Sequence, residues 1–98
     1  MHILSRPVLR AFSRRHPDAE PALAAWWSIV THARYGAPAD LKRDFATASF
    51  IGGSKTVFNI AGNKYRLVAD VRYDLGRVYI RAILGHAEYT RRTREGAL

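Results

Sequence analysis

The fold turns on residues 55–84, KTVFNIAGNKYRLVADVRYDLGRVYIRAIL. Apolar and polar side chains alternate along this stretch, and the alternation is broken at Gly62-Asn63 and at Leu75-Gly76. Alternation marks half-buried strands, and each break has the composition of a two-residue hairpin turn. The expected strands are Lys55–Ala61, Lys64–Tyr73 and Arg77–Leu84, with Ala48–Ile51 just upstream. Asn63 suits the positive φ that such a turn demands. Because side chains alternate faces with period two, the turns set the register. The first pairs Asn59 with Arg66 and Val57 with Val68. The second pairs Asp70 with Arg81 and Arg72 with Tyr79.

Two faces follow. One carries Phe58, Ile60, Tyr65, Leu67, Ala69, Val71, Val78, Ile80, Ala82 and Leu84, an apolar face that must be covered. The other carries Lys55, Val57, Asn59, Lys64, Arg66, Val68, Asp70, Arg72, Arg77, Tyr79, Arg81 and Ile83. A sheet face turned to solvent normally shows mixed charge. Here lysine, arginine and tyrosine surround a single aspartate. Basic groups with an interleaved aromatic suit single-stranded RNA, through phosphate neutralisation and base stacking. Asp70, opposite Arg81, would hold that arginine in place. The competing reading is a solvated strand face stabilised by cross-strand pairs.

Upstream of about residue 46 the spacing becomes helical. His2 to Leu4 reads as a short strand, and Ser5 as a cap for a helix with Pro7 in its first turn. That helix buries Val8, Leu9, Ala11 and Phe12 and carries Arg6, Arg10 and Arg14 as a stripe, read as a solvated face. Pro17 ends it and Asp18 is placed to cap the next. Leu23, Trp26, Trp27 and Val30 have the spacing of a buried helical face, so the tryptophans are read as core. Gly36 and Pro38 precede a short helix with Leu41 and Phe45 on one side. The expected class is therefore α+β: N-terminal helices packed on one face of a small antiparallel sheet, in a single domain spanning 1–98.

Composition narrows the function. The 98 residues carry 16 Lys+Arg against 8 Asp+Glu, a net charge of +8. The excess lies in residues 1–17 and 46–98, while residues 18–45 are slightly acidic. Arginine predominates, and its planar fork matches phosphate oxygens, which points to nucleic acid. The absence of cysteine excludes disulfide scaffolds, thiolate zinc sites and cysteine nucleophiles. No apolar run approaches a membrane span, and Met1–Pro7 lacks the apolar core of a secretory signal, so a cytoplasmic protein without membrane contact is expected. No carboxylate cluster or His-x-x-x-His spacing offers a metal site, and no cofactor motif is present. Gly52-Gly53-Ser54-Lys55 lacks the spacing of a phosphate loop and reads as a turn.

Three runs carry a resemblance: Val57-Phe58-Asn59-Ile60-Ala61-Gly62-Asn63-Lys64-Tyr65-Arg66-Leu67, then Val78-Tyr79-Ile80-Arg81, then Gly85-His86-Ala87-Glu88-Tyr89. With His16-Pro17-Asp18-Ala19, Leu23 and Trp26, they resemble the HigB-type toxins of the RelE superfamily of bacterial toxin–antitoxin systems. The resemblance implies a type II toxin, an endoribonuclease (mRNA interferase) that cuts mRNA on the translating ribosome without metal or cofactor. It also implies a helix-turn-helix (HigA-like) antitoxin that neutralises it, with operator DNA reached only through that complex. Arg66 falls on the family's strand arginine, His86 near another basic position, and Tyr89 near the C-terminal aromatic.

Metal-free cleavage is attack of a 2′-hydroxyl on its own phosphorus. It needs a base, stabilisation of the phosphorane and protonation of the 5′-oxygen. Arg66 and Arg81 suit the charge stabilisation, because a guanidinium stays charged and grips two oxygens. His86 titrates near neutrality, and Tyr89, three residues on, would share its side of a helix and either stack on a base or donate a proton. Lys55 and Lys64 would hold flanking phosphates. Asn59, Arg72 and Tyr79 complete the expected RNA-binding set, with Asn59 also able to brace Arg66 and Tyr79 open to cross-strand packing. His2, His16 and His32 read as surface or capping groups. Arg91, Arg92 and Arg94 read either as a mobile basic tail holding ribosomal RNA or as a frayed terminus. The rival function is a small basic RNA- or ribosome-binding protein without cleavage activity.

Overall fold

A computed structural model describes all residues 1–98. A short strand, β1 (His2–Leu4), turns at Ser5 into helix α1 (Arg6–Arg15). Ser5 makes the corner in the left-handed region, at φ 71°, and its side chain caps nothing. A capping hydroxyl needs an extended backbone at that position, so the expected cap is lost to the sharpness of the corner. Helix α1 buries Phe12, which stacks on His16 (4.3 Å between ring centroids) and meets Tyr65 edge-on at 5.2 Å. Val8 and Ala11, expected beneath it, are exposed.

A 3₁₀ turn over Pro17–Ala19 precedes helix α2 (Glu20–His32), so Asp18 lies inside that turn and does not cap α2. Leu23, Trp26 and Val30 of α2 are buried in the main core, while Trp27 lies at its margin with the Arg6 guanidinium 4.9 Å from its ring centre. Helix α3 (Pro38–Asp44) begins where Asp40 accepts backbone N–H groups from Gly36 and Ala37, at 2.9 and 3.2 Å. It contributes Leu41 to the core, and Phe45 just after it meets Phe58 edge-on, 5.0 Å away. Trp26 packs on the same Phe58 ring at 5.4 Å.

The alternating half forms β2 (Ser49–Gly52), β3 (Lys55–Ile60), β4 (Tyr65–Arg72) and β5 (Arg77–Gly85), in the sheet order β1-β5-β4-β3-β2. The class is α+β, as the pattern predicts. The sheet is mixed because β1 joins β5 in parallel, pairing Ile3 with Val78. The β3–β4 register matches expectation, with Asn59 opposite Arg66 and Val57 opposite Val68. The positive φ values of that turn fall on Ala61 and Gly62 rather than on Asn63.

The β4–β5 register does not match. Its turn holds four residues, Tyr73 to Gly76, closed by the Leu75 N–H donating to the Arg72 carbonyl at 3.2 Å. Arg72 therefore faces Arg77 and Asp70 faces Tyr79. A bulge follows: Ala69 faces Ile80 while Val68 faces Ala82, leaving Arg81 as the extra residue. Past the bulge the faces exchange. Ile83 enters the main core, and Ala82 and Leu84 pass to the opposite face, contrary to unbroken alternation.

The chain closes with helix α4 (His86–Glu95), ended by Gly96 at φ 70°. Arg91, Arg92 and Arg94, expected as a tail, are helical, and Glu88 pairs with Arg91 and Arg92. Helices α1 and α2 cover one face of the sheet, and α4 packs on β4 and β5 from the other. On that second face Val57, Val68 and Leu84 are buried apart from the main core.

Candidate nucleic-acid interface

The outer face divides along β4 into two groups of charged side chains. At the turn end, Arg66 donates from Nη1 to the carbonyls of Asn63 (2.9 Å) and Tyr65 (3.2 Å). Its guanidinium carbon lies 5.5 Å from the centre of the Tyr89 ring, within cation–π range. Two anchored donations leave the rest of the fork free, and Arg66 belongs to no ion pair. Asn59 sits opposite on β3 but does not brace it; the turn's own carbonyls do.

His86 opens α4 at the same end. Its backbone N–H donates to the Lys64 carbonyl at 3.1 Å, tying the helix start to the β3–β4 turn. The His86 side chain is exposed on a shallow surface with Thr90, Arg91 and Arg94. Tyr89, three residues on, stands against Arg66 and lines a separate hollow with Ile51, Thr93 and Gly96. Lys64 is turned elsewhere. Its ammonium pairs with Asp18, which also accepts the Tyr65 hydroxyl at 2.9 Å. The bond from Lys64, then that from Tyr65, holds the Asp18 carboxyl below its usual range, and the same Asp18 contact raises Lys64.

The second group lies four residues further along β4, roughly 13 Å away. Arg81 donates from Nε to Asp70, and its guanidinium lies 5.4 Å from the Tyr79 ring centre. Asp70 and Arg81 are thus joined as the sequence anticipates, although Tyr79 and not Arg81 is the residue opposite: the bulge brings Arg81 alongside. Burial raises the Asp70 pKa, but the hydrogen bonds from Arg81 and from Ser54 (3.1 Å) together outweigh it, and the carboxyl titrates below its usual range. Lys55 faces Asp70 from β3, and Arg77 reaches the Tyr79 hydroxyl at 3.5 Å. Arg72 is bound to Asp74 at the end of β4.

The structure therefore brings Arg66 against Tyr89, with the His86 backbone tied to the adjoining turn, and gathers Arg81, Tyr79 and Lys55 about Asp70. It directs Lys64 and Arg72 to other partners. The sequence marks Ser54 as part of a turn and Asp18 as a helix cap, and gives neither a place in the site. Ser54 lies in a glycine-rich turn distant in sequence from Asp70, and Asp18 carries no local sign of its long-range bond to the β3–β4 turn. No group of three or more His, Asp or Glu side chains is placed to hold a metal ion, and no helix is long and apolar enough to cross a membrane.

This arrangement can bind polyanions: exposed guanidinium groups on a sheet face, two of them against tyrosine rings. Residues 19–92 match the family described as HigB_toxin, RelE-like toxic component of a toxin-antitoxin system. The chain belongs to the HigB toxin family. Similar proteins include the mRNA interferase toxin HigB of Escherichia coli strain K12, 28% identical over 91 residues, covering 91% of this chain and 88% of the relative. The mRNA interferase HigB of Shigella flexneri matches equally well over the same share. The mRNA interferase HigB of Escherichia coli O6:H1 is 26% identical over 96 residues, covering 96% of this chain and 93% of that protein. In this HigB-family toxin the match runs from Ala19, at the end of the 3₁₀ turn, to Arg92 in α4, so both groups on the outer face lie within it.

Proposed function

We propose that this chain is an mRNA interferase: a single-domain endoribonuclease that cuts message on the ribosome by attack of a 2′-hydroxyl on the adjacent phosphorus. The observation that carries the reading is Arg66, presented on the outer face by the turn carbonyls and Tyr89, with the start of the His86 helix tied to the same turn. Arg66 takes the non-bridging oxygens of the scissile phosphate, where charge develops as the phosphorane forms. His86 and Tyr89 are the proton-transfer pair, removing the 2′-hydroxyl proton and protonating the 5′-oxygen that departs, and Tyr89 offers a ring to a base. Arg81, held by Asp70, grips a neighbouring phosphate, with Lys55 and Tyr79 beside it. Asn59 serves the flank, Arg72 is taken up by Asp74, and Lys64 acts indirectly, by fixing the turn that presents Arg66. Charge stabilisation comes from guanidinium groups, so the reaction runs without a metal ion.

In the cytoplasm the partners are message and ribosomal RNA, and a helix-turn-helix antitoxin that neutralises the toxin and alone contacts operator DNA. The test uses ribosomes programmed with a defined message, incubated with the protein and EDTA, and read by primer extension. A break in the A-site codon ending in a 2′,3′-cyclic phosphate is expected. Intact message with tight, salt-sensitive RNA binding would identify a binding protein instead.

A further inference from the structure

The face opposite the outer surface carries a feature that RNA cleavage leaves unused. A groove of about 400 Å³ runs between α1 and α2. Arg6, Arg10 and Arg14 form one wall, repeating every four residues. The floor is apolar, made by Leu9, Ala24 and the margin of Trp27. None of the three arginines belongs to an ion pair, and Glu20, the one acid at the rim, pairs with none of them. By contrast, α4 carries acid and base together, and Glu88 offsets two of its arginines. Ser13 Oγ, on the groove wall, has no hydrogen-bond partner.

We propose that this groove is a docking site for an acidic amphipathic helix of the antitoxin partner, which family membership supplies. Arginines at i, i+4 and i+8 advance by roughly 6 Å per step. Carboxylates at the same interval on a second helix would meet each of them, while an adjoining aliphatic row would enter the apolar floor. The groove favours peptide over RNA because its only aromatic face is already taken: Arg6 covers Trp27, leaving no platform for a base. It lies on the side of the sheet away from Arg66 and Arg81, so it is a separate surface from the RNA interface.

The test is fluorescence anisotropy with a synthetic helical peptide of roughly 15 residues, long enough for marginal helicity. It carries glutamates at three successive i, i+4 positions and leucines on the adjoining row. A glutamine-for-glutamate peptide and a single-stranded oligoribonucleotide are the comparison probes. The glutamate peptide is expected to bind, and Arg10→Glu to weaken it about tenfold, one exposed charge pair being altered from attraction to repulsion. Arg91→Glu on α4 should leave peptide binding unchanged, and the glutamine peptide should not bind. Message cleavage by Arg10→Glu should equal that of the parent, so failure here stays separate from failure of the RNase reading. The proposal is overturned if no peptide binds, if binding ignores Arg10, or if Arg10→Glu costs the oligoribonucleotide as much affinity as the peptide.

Discussion

Replacing Arg66 with alanine separates stability from chemistry, and the structure sets both magnitudes. The side chain makes two hydrogen bonds to carbonyls of its own turn and one contact with the Tyr89 ring, all half-exposed to solvent. Competing water reduces such interactions, so their joint loss should cost about 1 kcal/mol. For a domain of this size that is a melting temperature lower by roughly 4–8 °C. Against a total stability of roughly 5–15 kcal/mol, the variant remains almost wholly folded at growth temperature. Removing a donor aimed at developing charge costs far more, about 10²–10³ in rate. The two measurements are thermal unfolding by circular dichroism and single-turnover cleavage of message on programmed ribosomes. Arg66→Lys should fall between, keeping the charge but losing the two-oxygen grip and the flat contact with Tyr89. Cleavage by Arg66→Ala at close to the parent rate would refute the assignment. A loss of activity that tracked a collapse in melting temperature would show Arg66 to be structural instead.

The bulge at Arg81 makes neighbouring positions unequal: Ile83→Asp should abolish cooperative folding, whereas Ala82→Asp should cost no more than about 1–2 kcal/mol in urea unfolding. The opposite ranking would restore unbroken alternation along β5. Phe58→Ala removes the ring on which Trp26 and Phe45 converge and should cost about 3–5 kcal/mol, seen as an earlier denaturant midpoint. Asp70 titrates lower when folded than the unfolded value of about 3.9. Its contribution is therefore complete above that value and lost as pH falls through the folded one. Asp70→Asn should flatten the acid limb of stability against pH below about pH 4, where the parent's falls; an unchanged limb would mean that Arg81 and Ser54 do not hold this carboxylate. If Tyr89 stacks on a base, Tyr89→Leu should weaken RNA binding by about 1–3 kcal/mol while Tyr89→Phe preserves it. If its hydroxyl transfers a proton, Tyr89→Phe should bind normally and cleave slowly.

Much of the site was legible because short-range rules govern it. Gly62 closes a hairpin whose register needs only local arithmetic, so Asn59, Arg66, Val57 and Val68 are paired as read. The second hairpin failed for an equally local reason. Its turn takes two more residues than Leu75-Gly76, and the bulge at Arg81 then exchanges the faces of Ala82, Ile83 and Leu84. Neither change alters composition or alternation upstream, so neither announces itself. The helical state of residues 91–94 had a sign, the Glu88–Arg92 spacing and Gly96 beyond, which a basic-tail reading overlooks. The bonds of Asp18 to Lys64 and Tyr65 had none, since 46 or more residues separate the partners.

By itself the sequence determined the class of fold, the covered face of the sheet up to Ile80, and the gathering of basic and aromatic side chains on the other. These follow from periodicity, which each residue expresses through the geometry of its own backbone. Only the tertiary structure decided which basic groups remain available. Asp18 draws Lys64 away, Asp74 occupies Arg72, Asp70 orients Arg81, and α4 folds back to set Tyr89 against Arg66. Availability depends on partners brought from elsewhere in the chain, and a charge–charge contact acts over a few ångströms of space, whatever the distance along the sequence.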